Sequence, residues 1–181
     1  MMIIERRALR RTGALGLACV ALWAAELPLR LAPAKAGALV RVLIDQTSFV
    51  ALLLFAVGLR HLVLQARPER ESAGTLVVAA AVAWLSVGLV ADGLDGGAVT
   101  ATFLGAAAHA TRVSRVLPRW SAWLAVAGAV LAAACIPATY LDADARAVTI
   151  AADVVRSAWF LAVSLWMVRR GTLRVVGRAT A

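Results

Sequence analysis

Long apolar blocks alternate with short connections rich in arginine or aspartate along this chain. Six blocks approach the roughly 20 residues that a helix needs to cross a bilayer core. They are Gly13–Leu31, Val42–Leu64, Thr75–Ala91, Ala98–Val116, Trp120–Tyr140 and Ala147–Val168. The pattern predicts an all-α fold: a polytopic transmembrane helix bundle of about six spans, forming one domain over residues 1–181. The second block is the weakest, because its uninterrupted apolar core, Phe49–Leu59, is short. It reaches spanning length by taking in Arg41–Asp45 or Arg60–His61, whose long arginine side chains can reach the interface. Arg112 and Arg115 shorten the fourth block in the same way.

Composition agrees with this pattern. Hydrophobic residues make up 62% of the 181 and mean hydropathy is +0.85, against about 45–50% apolar content in a soluble domain. A soluble chain of this size would have nowhere to bury such blocks. Lys+Arg is 19 against 10 for Asp+Glu, a net charge of +9. On a soluble chain that excess would suggest nucleic acid. Here the arginines stand between apolar blocks, where they serve as topology signals and anionic-lipid contacts, so the expected partner is the bilayer and not nucleic acid.

Charge placement orients the bundle. With the N-terminus in the cytoplasm, the inner pieces carry Arg6, Arg7, Arg10 and Arg11, then Arg60, Arg67 and Arg70, then Arg112, Arg115 and Arg119, then Arg169, Arg170, Arg174 and Arg178. The outer pieces keep only Arg30, Lys35, Arg41 and Arg146, beside the acidic turns "ADGLDGG" and "LDADAR". Both termini are therefore expected inside a cytoplasmic membrane, as an even number of spans requires. The basic start and first apolar run also admit a cleavable signal peptide, with "APA" at Ala32–Ala34 or "AKA" at Ala34–Ala36 as cleavage sites. Glu26 and Arg30, between the run and those sites, weigh against it.

The fourth and fifth blocks are rich in small residues. Ala101 and Gly105 stand four apart, as do Ala125, Ala129 and Ala133. Such faces let helices approach closely. With "TRVSRVLPR" between them, these blocks are expected to form a tight antiparallel hairpin, a homodimer face being the alternative.

Candidate chemistry lies in the few ionisable residues inside the blocks. Arg156 falls about 14 Å from the outer end of its helix, near the midplane. A charge at that depth costs about 2.5–3.5 kcal/mol on insertion scales, so it should face the bundle or a watery cavity. Asp153, three residues earlier, lies on the same helix face and can neutralise it. Glu26, Arg41 and Asp45 fall in the same leaflet, so Glu26, Arg41, Asp45, Asp153 and Arg156 are expected to form one outer-half polar cluster. Gln46, Thr47, Ser48 and Ser157 could add hydrogen bonds to it. Such a cluster could bind a polar solute or ion, or could simply fix helix register. The matched repeats and midplane helix breaks of an alternating-access transporter are not evident.

His61 and His109 lie at similar depth in the second and fourth blocks, a spacing that admits axial haem ligation. Two histidines without a nearby carboxylate make a poor zinc site, and no metal site is expected. Cys19 and Cys135 lie inside apolar blocks without any CxxC spacing. The chain has no HExxH, GxSxG, P-loop or GxGxxG motif, and nothing argues for an enzyme. Trp120 and Trp166 suit the inner interface, while Trp23, Trp84, Trp123 and Trp159 lie deeper and are expected to pack.

"RVSRVLPRWSAWLAVAGAV" (Arg112–Val130) and "WFLAVSLWMVRRG" (Trp159–Gly171) resemble a family of small polytopic bacterial membrane proteins of actinobacterial type, which carry a domain of unknown function. The resemblance covers Ala98–Gly171, and the first three blocks are shorter than the family's usual run. It implies a multi-pass membrane protein and brings no activity or functional residue with it. The expected role is a non-enzymatic accessory or interaction component, working alone, as a homo-oligomer or with a membrane partner. A small solute or ion transporter and a haem-binding redox protein are the alternatives.

Overall fold

Each apolar block becomes one helix. The computed structural model describes residues 2–4, 6–31, 38–90, 96–140, 145–170 and 173–175. The helices are α1 (Arg6–Leu31), α2 (Ala38–Ala66), α3 (Glu71–Val90), α4 (Gly96–Ser114), α5 (Arg119–Tyr140) and α6 (Ala145–Arg169). A single 3₁₀ turn, Pro68–Arg70, links α2 to α3. Proline cannot continue the α2 hydrogen-bond ladder, so the helix stops at Ala66. Pro118 likewise precedes α5, where its carbonyl accepts the Ser121 N–H (3.0 Å) and hydroxyl (2.7 Å). Pro28 and Pro137 lie near helix ends.

Among the described residues, four helical stretches are long and apolar enough to cross a membrane: Val42–Ala66, Pro68–Val87, Arg119–Pro137 and Ala147–Arg169. The other two helices carry more polar residues. The first turns of α1 hold Arg6, Arg7, Arg10 and Arg11, and α4 holds Thr100, Thr102, His109, Thr111 and Arg112. The candidate cleavage sites at Ala32–Ala36 lie outside the described residues.

The six helices pack in sequence order, and α6 closes back onto α1. Neighbours run antiparallel. Gly13 of α1 lies against Ser164 and Met167 of α6, and Gly58 of α2 lies against Thr12 of α1. Gly97 of α4 meets Ala132 of α5. One addition to the sequence reading is a short antiparallel ladder, β1 (Met2–Ile4) with β2 (Leu173–Val175), which brings both ends of the chain to the same end of the bundle.

The core is aromatic at its centre. Phe55, Phe103, Trp159 and Phe160 are fully buried and come from α2, α4 and α6. Phe103 stacks on Phe160 at 5.7 Å, and Phe55 tilts against Phe160 at 5.2 Å. Trp159 donates its indole N–H to the Ser121 carbonyl of α5 at 2.9 Å. Trp23 of α1 and Trp84 of α3 lie above this group, 6.3 Å apart, and touch Phe160 and Phe103 respectively. Outward faces carry Val50, Leu54, Leu76, Val130, Val154 and Leu161, all exposed. So much large apolar surface facing outward suits a lipid solvent rather than water. Hydroxyls within the helices bond backbone carbonyls one turn back, as Thr47 does to Leu43 (2.7 Å) and Thr111 to Ala107 (2.7 Å). That satisfies them without water.

Candidate functional site

The most polar interior surface lies at the end of the bundle where α1 finishes and α2 and α6 begin. A cavity of about 730 Å³ opens there, lined by Glu26, Asp45, Ser48, Asp153, Arg156 and Ser157. Four of the five clustered residues expected from sequence thus share one chamber. The fifth, Arg41, stands in the first turns of α2 and its side chain lies outside those described. Gln46 and Thr47 are exposed. The volume is within the usual range for small-molecule pockets, about 300–1,000 Å³.

Three helices position the charges. Asp153 and Arg156 share a face of α6, and Arg156 Nη2–H donates to Asp153 Oδ1 at 3.0 Å. The guanidinium lies 4.7 Å over the Trp23 ring and 5.5 Å from that of Trp84. Arg156 is 18% exposed and Asp153 49%, so the cation is tucked against the rings while the carboxylate faces the chamber. Glu26 is buried on α1, one turn beyond Trp23. On α2, the Ser48 hydroxyl donates to the Asp45 carbonyl at 2.8 Å, and the Cys19 thiol reaches the Ser48 carbonyl at 4.0 Å.

Trp23, Trp84 and Leu52 form the inner wall of the chamber. Below them lie the fully buried Phe55, Phe103, Trp159 and Phe160. The chamber therefore ends on a layer of packed rings partway down the bundle. Trp23 and Trp84, expected from sequence to pack, do so against the Arg156 guanidinium, a pairing the sequence does not predict. The available signal was depth: Trp23 lies one turn before Glu26, and Trp84 lies a similar distance from the same end of its own helix.

Among the described residues, no three His, Cys, Asp or Glu side chains gather as a metal site would require, so the cavity carboxylates are spread around its wall. The histidines lie elsewhere. His61 is exposed on α2 and paired with Gln65 at 2.9 Å. His109 is exposed on α4 and lines a shallow groove against α5, to which His61 does not contribute. The same groove contains Ala101, Gly105, Ala129 and Ala133. Gly105 and Ala133 are open to this groove, whereas Ala125 is fully buried and Ala101 and Ala129 pack against the apolar core, so α4 and α5 form the closely packed hairpin expected. Gly97, and Gly128 against Leu104, add further close contacts.

Comparison with known proteins gives no relative from which a role can be read: no protein-family model, curated protein or solved structure matches the chain.

Proposed function

We propose that this chain is a non-enzymatic, six-span protein of a bacterial cytoplasmic membrane that binds a small amine-bearing or zwitterionic solute in its outward-facing cavity. One observation carries the reading: Glu26, Asp45, Asp153 and Arg156, brought from three helices, line a single ligand-sized chamber that ends on packed aromatic rings. A chamber holding three carboxylates and one guanidinium offers an amine acidic partners and gives a carboxylate a place at Arg156. The spread of the carboxylates favours an organic solute over a bare metal ion, which needs its ligands converged. The ring layer favours binding over conduction, because the fully buried Phe55, Phe103 and Phe160 lie beneath the chamber.

Six spans with both ends in the cytoplasm are supported by the even helix count, by the arginine-rich ends and by the pairing of Met2–Ile4 with Leu173–Val175.

The test is ligand binding by the full chain purified in detergent, read by calorimetry against amines, amino acids, betaines, neutral sugars and dicarboxylates. An amine or zwitterion should bind, and Asp45→Asn or Glu26→Gln should weaken it at least tenfold. Equal binding by all classes, or binding untouched by both substitutions, would refute the reading.

A further inference from the structure

A second cavity, of about 370 Å³, lies at the opposite end of the bundle in the connection between α4 and α5, and its wall carries Arg112, Arg115 and Arg119. These three arginines differ from Arg60, Arg67 and Arg156, which are paired with carboxylates. Between α2 and α3, Arg60 donates to Glu71 at 2.8 Å and Arg67 to Glu69 at 3.4 Å, and in the outer chamber Asp153 holds Arg156. Among the described residues, no carboxylate pairs with Arg112, Arg115 or Arg119, and none lines their cavity. Three cations facing one hollow without an anion repel one another unless an anion enters it.

Two details show that the arrangement is held in place. The Arg112 guanidinium lies 4.6 Å over the Trp123 ring, which holds the cation at the cavity wall, and stacking by its face leaves the in-plane N–H groups able to donate. Arg115 has φ 56°, the only left-handed non-glycine residue among those described. It directly follows the last residue of α4, the position where helices ordinarily place glycine because a Cβ is strained there. An arginine kept at a glycine position points to a use for its side chain. Trp123, expected from sequence to pack, is instead 66% exposed and lines the cavity, and Trp120, 44% exposed, directly follows Arg119, both placed as indoles are at headgroup level.

We infer that Arg112, Arg115 and Arg119 form a binding site for a phosphate-bearing anion, supplied by the headgroup of an anionic phospholipid. Guanidinium groups match phosphate oxygens in bidentate geometry, and basic pockets between helices at a membrane surface are suited to such headgroups. The site is independent of the outer chamber and requires only that this connection lie at a membrane–water interface.

The test is native mass spectrometry of the full chain in detergent with phosphatidylglycerol or phosphatidylcholine, each with and without millimolar inorganic phosphate. Phosphatidylglycerol should be retained preferentially. Arg115→Gly, which relieves the backbone strain and so preserves the fold, should weaken retention about fivefold, as should Arg112→Gln and Arg119→Gln. Arg60→Gln, at a connection where the arginine is already paired, should not. Full competition by inorganic phosphate would keep the anion site but assign it to a soluble phosphate, overturning the lipid source. Equal retention of the two lipids with no effect of phosphate, or an Arg115→Gly protein that retains phosphatidylglycerol as the unchanged chain does, would overturn the site itself.

Discussion

Replacing Asp153 by Asn and Arg156 by Gln, singly and together, measures what holds the Arg156 cation. At the observed 3.0 Å, the gross attraction of the pair is roughly 5.5 kcal/mol at an effective dielectric of 20 and roughly 1.4 kcal/mol in water. Desolvation removes much of it. Exposed pairs net about 0.2–1 kcal/mol, and breaking a fully buried one costs about 3–5 kcal/mol. With the carboxylate half exposed and the guanidinium mostly buried, Asp153→Asn should cost about 1–2 kcal/mol. Arg156→Gln also forfeits the faces of Trp23 and Trp84, each worth about 0.5–1 kcal/mol, and should cost about 2–3 kcal/mol. The double mutant should be less destabilised than the sum of the singles by about 1 kcal/mol. Reversible unfolding of the purified protein in mixed micelles, followed by tryptophan fluorescence, gives all three values. If Asp153→Asn costs more than Arg156→Gln, the stacked geometry is wrong. Three values within error of zero would mean that the pair stabilises nothing.

The glycines predict opposite signs. Gly16→Ala would press a methyl group into the Ser164 hydroxyl and, at 2.9 Å, the Phe55 ring, so it should destabilise by about 1–3 kcal/mol in the same assay. Gly105→Ala meets nothing within 4 Å and should be neutral or stabilising by up to about 1 kcal/mol; equal losses at both positions would contradict the packing. Topology is checked by reporter fusions. A fluorescent protein joined after Arg170 should fold and glow in the cytoplasm, whereas alkaline phosphatase inserted between α3 and α4 should be active outside; activity at the tail instead would invert the bundle.

What the sequence disclosed follows from what hydropathy measures. It records how long a segment stays apolar, so α2 to α6 begin and end within a few residues of the expected blocks, whereas α1 begins seven residues before Gly13, at Arg6, because its arginine-rich start is helical too. This holds even for α2, whose apolar core is short; its flanking polar residues simply extend the helix to Ala38–Ala66. It records depth as well, and scarce ionisable residues at one depth in neighbouring helices had few places to go. That is why Glu26, Asp45, Asp153 and Arg156 could be grouped before any geometry was known. Facing is another matter. A segment that is apolar all round gives no phase, so Gly105, which faces open space, could not be told from Gly97 and Gly128 as contact points. Sequence alone gives Arg112, Arg115 and Arg119 the general role of topology signals and anionic-lipid contacts; that they share one cavity is not visible without the fold, because neither the left-handed backbone nor the missing carboxylates is.

The cation at Arg156 connects the two halves of the interior. Its charge is balanced by α6 through Asp153, while its faces are covered by α1 through Trp23 and by α3 through Trp84. The same two indoles rest on Phe160 and Phe103, at the top of the ring layer that closes the chamber. An anionic group entering the chamber and taking Arg156 from Asp153 would therefore act on a side chain that touches α1 and α3 as well as its own helix. The cost of moving the guanidinium falls on the aromatic layer, since packed rings have few alternative arrangements of equal density. A solute that binds without displacing Asp153 leaves that layer alone; one that displaces it must reorder Trp23 and Trp84. Comparing the indole fluorescence change on ligand addition between the unchanged chain and Asp153→Asn separates the two cases, because only in the second does the response depend on the Asp153 contact.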